Sequence, residues 1–125
     1  ATVPKLTVVL RKAYGAGYFV MCGRAYEPDL IVAWPTAEIS VMGPEGGTNI
    51  IFRKDIAAAA SPEEERARRV EEFRKLINPY IAAGAALLDD VIDPRETRAT
   101  LIRGLEMAQT KKVDRPWRKH GVMPV

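Results

Sequence analysis

Short apolar runs dominate the first third of the chain and recur once further on, a pattern typical of buried strands. Residues 5–10 are apolar and rich in β-branched side chains, which predicts a strand buried on both faces of an α/β sheet. Residues 29–34 and 37–42 predict two further short strands, separated at Pro35 because proline cannot donate to a strand ladder. Residues 87–92 predict a short edge strand.

Between and after these runs, the spacing of apolar residues changes to that of helices. Residues 18–26 predict a short helix, which Gly23 weakens. Pro44 favours the first turn of a helix through residues 50–52, because its fixed φ suits that position and its missing N–H is not needed there. The alanine run at residues 57–60 either ends this helix or connects it to the next one.

Two later helices carry their own start signals. Ser61, Pro62 and Glu64 form a predicted capping box, in which the serine caps the first turn and the glutamate reaches back to it. Asp93 and Pro94 repeat the signal. The apolar stripes predicted to face the core are Val70, Phe73 and Leu76 or Ile77 in the first helix, and Leu101, Ile102, Leu105 and Ala108 in the second.

The composition is that of an ordinary globular protein. The chain has 125 residues, enough for one domain or part of one, with 47% hydrophobic and 28% charged residues. Its net charge of +3 comes partly from a basic tail and gives little support for a nucleic-acid partner. Because Ala1 has no preceding methionine and a strand pattern follows at once, we expect the chain to be a fragment of a longer protein.

Single residues exclude several kinds of site. Cys22 is the only cysteine, so an intrachain disulfide and a cysteine-cluster metal site cannot form, and we expect a small buried hydrophobe. His120 is the only histidine, which excludes a histidine metal site and a Ser-His-Asp triad within this chain. The longest apolar run, residues 80–88, is shorter than the ~20 residues of a membrane span. Without a recognisable signal peptide, we expect the cytoplasm, or the mitochondrial matrix in a eukaryote.

The most informative segment for chemistry is residues 14–18, a run of small residues between the first predicted strand and a predicted helix. Glycine and alanine let a ligand oxygen approach the backbone closely, and the N–H groups at the start of a helix favour negative charge. The segment is therefore either an anion-binding turn or an ordinary strand-to-helix turn without a ligand. The residues alone leave both interpretations open.

Other residues offer weaker candidates. Glu38 is either a base or a solvated or ion-paired strand residue, and Trp34 is either a core side chain or a ligand platform. Residues 43–47 lack the lysine and hydroxyl of a phosphate loop. The basic residues near the end are available to a CoA phosphate, a subunit contact or solvent; they are Lys111, Lys112, Arg115, Arg118 and Lys119. No acid–base pair or activated nucleophile emerges, so catalysis would depend on backbone electrostatics and on groups from a cofactor or another segment.

Six stretches of the chain, in order, resemble one known family. They are residues 3–15, 33–43, 49–53, 78–79, 93–98 and 115–121. The resemblance is to the final third of the carboxyltransferase β subunit of biotin-dependent acyl-CoA carboxylases, of the propionyl-/acetyl-CoA carboxylase type. Because it covers nearly the whole chain, it is far more specific than any single motif.

The resemblance implies a crotonase-like fold of the ClpP/crotonase type, which is a spiral of ββα units, with two such domains per subunit. Residues 1–109 would be the later part of the second, carboxybiotin-binding domain, and residues 110–125 a basic C-terminal tail. The acyl-CoA-binding half would lie upstream. The family's subunits form a homo-hexamer, whose active sites lie between domains of different subunits, and work with biotin carboxyl carrier and biotin carboxylase components.

The reaction that the resemblance implies transfers a carboxyl group from carboxybiotin to the α carbon of a short-chain acyl-CoA, with no metal in this chain. Carboxybiotin releases CO2, the anionic ureido nitrogen takes the α proton of the thioester, and the enolate attacks CO2. The protein stabilises two oxyanions, of which the ureido oxygen belongs to this domain. By position, its donors are the backbone N–H groups of Ala16 and Gly17, while Tyr18 and Phe19 are substrate-binding residues.

The chain departs from the family at this turn, where Gly15-Ala16-Gly17-Tyr18 replaces the usual Gly-Gly-Ala-Tyr of propionyl-CoA carboxylases. Backbone donors survive this exchange, whereas the bulky Phe19 leaves the preferred acyl chain open. Two alternatives remain: a decarboxylase subunit of a biotin-dependent sodium pump, which shares the fold, and a non-catalytic structural or oligomerisation role for the isolated piece. Neither a nucleic acid nor a membrane is expected as a partner.

Overall fold

The computed structural model describes residues 2–114, so the predicted basic residues from Arg115 onward and His120 lie outside the described residues. The strands in this range are β1 (Leu6–Val9), β2 (Lys12–Tyr14), β3 (Leu30–Ala33), β4 (Glu38–Ser40) and β5 (Asp90–Val91). The helices are α1 (Ala16–Val20), α2 (Pro44–Ile51), α3 (Arg53–Ala58), α4 (Pro62–Leu76), α5 (Pro79–Gly84) and α6 (Thr97–Met107). Short 3₁₀ turns lie at Arg24–Tyr26 and Pro94–Glu96.

The strands form two parallel sheets. In the first sheet, β3 lies between β1 and β5, and Leu6 is opposite Leu30 in the register. The second sheet pairs β2 with β4, and Lys12 is opposite Glu38. Each of the first two units therefore places one strand in each sheet and then continues as a helix, which confirms the predicted spiral of ββα units.

The core centres on β3. Ile31, Val32 and Ala33 are essentially inaccessible to solvent, and burying each of the two branched side chains contributes ~1.5–3 kcal/mol. In contrast, β1 is an edge strand within the described range, and residues 6–8 are only half-buried. The prediction that residues 5–10 are buried on both faces therefore does not hold in this structure.

The predicted helix over residues 18–26 has the wrong bounds. α1 begins earlier, at Ala16, spans five residues, and is followed by a separate 3₁₀ turn. The break falls at Cys22, whose φ of 65° does not occur in a right-handed helix, and at Gly23, where a Cβ would lie 2.5 Å from the Tyr18 ring. Cys22 is half-buried at this break instead of lying in the core.

The start signals of the later helices have mixed outcomes. Pro44 begins α2 and Asp93 caps the 3₁₀ turn before α6, as predicted. α4 begins at Pro62 with Ser61 as its N-cap residue, as predicted, but the capping box is wrong, because the side chain of Ser61 makes no capping hydrogen bond. Asn78, with a ψ of 157°, does cap α5. The sequence pattern did not predict α5.

α6 buries only part of its predicted stripe. Ala108 is buried, whereas Ile102 and Leu105 remain 46% and 52% exposed. The helix approaches the first sheet through Gly104, where a Cβ would lie 2.6 Å from a leucine side chain of β1. A small residue, and not the apolar stripe, therefore sets the distance between α6 and the sheet.

α4 packs on α2 through an aromatic ring. A Cβ on Gly47 would lie 2.9 Å from the ring of Phe73. Ile77 is buried and Leu76 is exposed, which settles the alternative that the apolar spacing left open. Within residues 2–114, every helix is too short or too polar to cross a membrane.

Candidate functional site

A glycine fixes the turn between β2 and α1. Gly15 has a φ of 50° and a ψ of −118°, which glycine adopts readily and residues with a side chain do not. Its N–H donates to the carbonyl oxygen of Ser40 at 2.8 Å, and a Cβ at this position would lie 2.8 Å from the carbonyl oxygen of Val41. No side chain fits here, so the start of α1 is held against the end of β4.

Ala16 and Gly17 follow as the first two residues of α1. The N–H groups of Tyr18 and Phe19 donate to the carbonyl oxygen of Gly15 at 3.2 and 3.4 Å, whereas those of Ala16 and Gly17 have no acceptor in the described part of the chain. Both residues are exposed, and nothing lies within 4 Å of a Cβ built on Gly17. Two neighbouring donors at a helix start are thus available to an anion.

The next two residues of α1 differ in what they contact. Tyr18 is buried, and its hydroxyl donates to the carbonyl oxygen of Leu87 at 2.8 Å and accepts the N–H of Arg24 at 3.1 Å. Phe19 is 47% exposed and packs edge-to-face on the Tyr18 ring, with 5.6 Å between the ring centroids. Tyr18 therefore anchors α1 in the protein, and Phe19 is the more accessible of the two rings.

Two open cavities flank α1. One, of about 390 Å³, lies along β1 and β2 and has Gly17 and Met21 in its lining. The other, of about 450 Å³, has a mostly apolar lining that includes Gly15 and Phe19. Tyr18 lines both cavities. The turn that carries the two open amides thus separates a partly polar cavity from an apolar one.

Tyr14, the last residue of β2, reaches across to β4. Its hydroxyl donates to the carboxylate of Glu38. Burial, followed by this hydrogen bond, raises the pKa of Tyr14 to about 12. Nearby Glu45 raises that pKa further and Arg74 lowers it, both by smaller amounts. Glu38, one of the candidates for a base, is therefore a hydrogen-bond acceptor within the second sheet.

Arg24 and Asp89 tie the wall of the apolar cavity to the core. The Arg24 guanidinium donates to the carbonyl oxygen of Ala86 at 3.2 Å and pairs with Asp89 at 2.5 Å. The other carboxylate oxygen of Asp89 accepts the N–H of Ile31 at 2.8 Å. Because the two charged side chains are 36% and 38% exposed, their ion pair contributes little, and the main effect is to satisfy a buried amide. No local pattern indicates this pair, because its members are 65 residues apart.

Two of the remaining candidates, Trp34 and Lys111, are engaged in structural contacts. Trp34 is half-buried, and its Nε1 donates to Oγ1 of Thr97 at 2.9 Å, which favours the core interpretation. Lys111 pairs with Asp29 at 2.7 Å. Within residues 2–114, no three His, Cys, Asp or Glu side chains are arranged to hold a metal ion.

Successive ββα units together build two parallel sheets. This architecture defines the class of this protein, which has the crotonase-like fold. It superposes on the crystal structure of transcarboxylase 12S, with methylmalonyl-coenzyme A and methylmalonic acid bound, with a TM-score of 0.90 and 53% identity. That match covers 100% of this chain and 24% of the other. The chain belongs to the carboxyl transferase domain family, which it matches over residues 1–123.

Curated relatives agree with this assignment. The chain is 54% identical over 125 residues to the methylmalonyl-CoA carboxyltransferase 12S subunit of Propionibacterium freudenreichii subsp. shermanii, covering 99% of this chain and 24% of the relative. It is 45% identical over 126 residues to the methylmalonyl-CoA decarboxylase subunit alpha of Propionigenium modestum, covering 100% of this chain and 24% of the relative. The chain therefore spans about a quarter of the length of these relatives. The predicted family and fold are confirmed.

Proposed function

We propose that the whole protein transfers a carboxyl group from biotin, carried on a partner protein, to the α carbon of a short-chain acyl-CoA. The observation that carries this proposal is the pair of open N–H groups of Ala16 and Gly17 at the start of α1. Membership of the carboxyl transferase domain family supports it. So does the 54% identity to a protein named as a methylmalonyl-CoA carboxyltransferase subunit.

A biotin ureido group fits the donors that this turn offers, because its carbonyl oxygen is a hydrogen-bond acceptor. When bound in its carboxylated form, biotin supplies the carboxyl group. The amides of Ala16 and Gly17 donate to the ureido oxygen and stabilise negative charge there, as oxyanion-hole donors do. Gly15 fixes both amides in advance, so little reorganisation accompanies the reaction.

The apolar surroundings of the turn suit the uncharged parts of the same ligands. Phe19 and the cavity of about 450 Å³ contact the apolar groups of the substrate. Tyr18 packs against Phe19 and lines the cavity with its ring. Together these two residues form the substrate-binding surface, and the bulk of Phe19 limits how much of an acyl chain can enter from this side.

The proposed organisation places the remaining functions outside this chain. Residues 1–109 are the later part of a carboxybiotin-binding domain, and residues 110–125 are a basic tail. The acyl-CoA-binding half, the biotin carboxyl carrier and the biotin carboxylase belong to other segments or subunits. The whole subunit forms a homo-hexamer, which is supported by the hexamer assembly described for transcarboxylase 12S. We place it in the cytoplasm, or in the mitochondrial matrix of a eukaryote.

Removing one of the two donors tests this function. Gly17→Pro deletes the N–H in the first turn of α1, where the φ of proline is compatible with a helix. Gly17→Ala is the matched control, since it keeps the N–H and adds a methyl group in open space. In the complete subunit, we expect carboxyl transfer from a malonyl-type thioester to free biotin to fall about 10²–10³-fold for the proline variant, or ~3–4 kcal/mol in barrier. The alanine variant should remain close to wild type, and full activity of Gly17→Pro would contradict the proposal.

A biotin-dependent decarboxylase is the second candidate, because the chain is also 45% identical to a methylmalonyl-CoA decarboxylase subunit. Such an enzyme uses the same donors while the carboxyl group moves in the opposite direction. Sodium-dependent decarboxylation by the complete enzyme with its membrane components would favour this candidate. Sodium-independent carboxylation of an acyl-CoA would favour the first.

A further inference from the structure

The amides of Ala16 and Gly17 are placed by the strand that precedes them. β2 is three residues long, and its partner within the described range is β4, also three residues long. A parallel pair this short makes few ladder hydrogen bonds. Side-chain contacts between the two strands therefore matter for where the turn lies.

Tyr14 makes such a contact from the last residue of β2. Its hydroxyl donates to the carboxylate of Glu38, the first residue of β4. The residue opposite Tyr14 in the register is Ser40, so this hydrogen bond runs diagonally across the pair. Hydrogen bonds to ionised acceptors are stronger than neutral ones, and a diagonal one opposes sliding of the two strands past each other.

The Tyr14 ring makes a second contact, just before α2. A Cβ on Gly43 would lie 3.3 Å from the ring, so the ring packs directly on that backbone. Between Glu38 and Gly43 in the chain lies Val41, whose carbonyl oxygen faces Gly15. Tyr14 thus contacts both ends of the segment 38–43, whose central residue Val41 faces the Gly15 turn.

β4 is also held from its other side. The N–H of Ile39, which faces away from β2, donates to the carbonyl oxygen of Ile77 at 2.9 Å. β4 is therefore held at this point by a contact that does not depend on β2. Any loosening between β2 and β4 moves the turn relative to the rest of the protein.

We propose that Tyr14 and Glu38 are positioning residues for carboxyl transfer, because their hydrogen bond fixes the Gly15 turn and, through it, the two donor amides. This inference rests on the proposed function and adds two residues that act through the turn. Loss of either side chain displaces the donors and leaves the acyl-CoA-binding half untouched. Since the donors act most strongly on developing charge, kcat falls while the KM for the thioester stays constant.

Four variants of the complete subunit test the proposal in the transfer assay with a malonyl-type thioester and free biotin. Tyr14→Phe removes the donor and keeps the ring, Glu38→Ala removes the acceptor, and Glu38→Gln keeps an accepting oxygen. Tyr80→Phe is the control, because Tyr80 is an exposed tyrosine on α5. We expect Tyr14→Phe and Glu38→Ala to lower kcat about tenfold, equivalent to ~1.4 kcal/mol, with an unchanged KM for the thioester. Glu38→Gln should restore most of kcat, and Tyr80→Phe should match wild type.

The double variant Tyr14→Phe/Glu38→Ala should be no slower than either single variant, because both changes remove the same hydrogen bond. An inactive wild-type subunit would refute the proposed function and this inference with it. An active wild type with an equally active Tyr14→Phe variant would refute the inference alone. A Tyr14→Phe variant that fails to fold or assemble would also refute the inference, since the contact would then serve stability only. A Tyr14→Phe variant whose KM for the thioester rises in proportion to the loss of kcat would refute it as well.

Discussion

Gly15→Ala should loosen the turn between β2 and α1, because the glycine occupies a conformation that is strained for other residues. With φ at 50° and ψ at −118°, a residue with a side chain is strained by ~1–3 kcal/mol. The new Cβ would also lie 2.8 Å from the carbonyl oxygen of Val41, and relieving an overlap of this kind costs a further ~1–3 kcal/mol. Alanine also restricts the unfolded chain more than glycine does, and this effect offsets only ~0.4–1 kcal/mol of the destabilisation. The net local destabilisation is therefore ~3 kcal/mol, a large part of the stability of a typical domain.

Gly17→Ala is the matched control for this substitution, two residues further on. Gly17 lies in α1, and a Cβ there meets nothing within 4 Å. Alanine in a helix is favoured over glycine by ~0.5–1 kcal/mol, so this variant should be neutral or slightly stabilised. The two variants make the same chemical change in the same turn and differ only in the conformation and space at the site.

Amide hydrogen exchange in the complete subunit measures the difference. The amide at position 15 donates to the carbonyl oxygen of Ser40, and its exchange reports local opening of the turn. A loss of ~3 kcal/mol accelerates that exchange about a hundredfold in Gly15→Ala, while the Ile39 amide on the other side of β4 serves as an internal reference. Equal exchange at position 15 in the two variants would refute the reasoning.

Two further predictions concern titration and a buried amide. Because the folded state raises the pKa of Tyr14 from 10.0 to about 12, the folded protein holds this proton more tightly, and the resulting stability is complete below pH 10.0 and is lost as the pH rises to about 12. The free energies of unfolding of wild type and Tyr14→Phe, measured against pH, should therefore converge over that range. Parallel pH profiles of the two proteins would contradict the raised pKa of Tyr14. Asp89→Ala leaves the buried N–H of Ile31 without its acceptor and should lower stability by ~1–3 kcal/mol in denaturant titrations. The control Glu106→Ala, at an exposed position on α6, should change the stability by less than ~0.5 kcal/mol. Equal effects of Asp89→Ala and Glu106→Ala would show that the N–H of Ile31 finds another partner.

The order of most strands and longer helices followed from the sequence, because apolar runs and helix start signals are local. β2 was missed, since three residues with only Ala13 buried have no measurable periodicity. The end of α1 was misplaced because it depends on the fit of the Tyr18 ring against Gly23. The start of α4 after Ser61 followed from the sequence, but the Ser61 side chain makes no capping hydrogen bond, whereas the Asn78 side chain caps α5.

The candidate site could be located but not fully assembled from the sequence. Small residues after an apolar run marked the turn, and resemblance to a family assigned Ala16 and Gly17 as donors, which remains a prediction. The contact between Tyr14 and Glu38 joins residues 24 positions apart and exists only in one register of two short strands. No local pattern encodes that register, so the residues around the turn emerged only from the fold.

Main-chain donors make the proposed site indifferent to most exchanges of side chain. Ala16 and Gly17 can trade identities, as the reversed order of this turn relative to the usual Gly-Gly-Ala-Tyr illustrates, because each still supplies an N–H. Gly15 has no such freedom, since its backbone conformation and the oxygen of Val41 exclude a methyl group. Substitutions at the two donor positions can therefore leave the chemistry of the turn unchanged, whereas the position before them admits a side chain only with backbone strain.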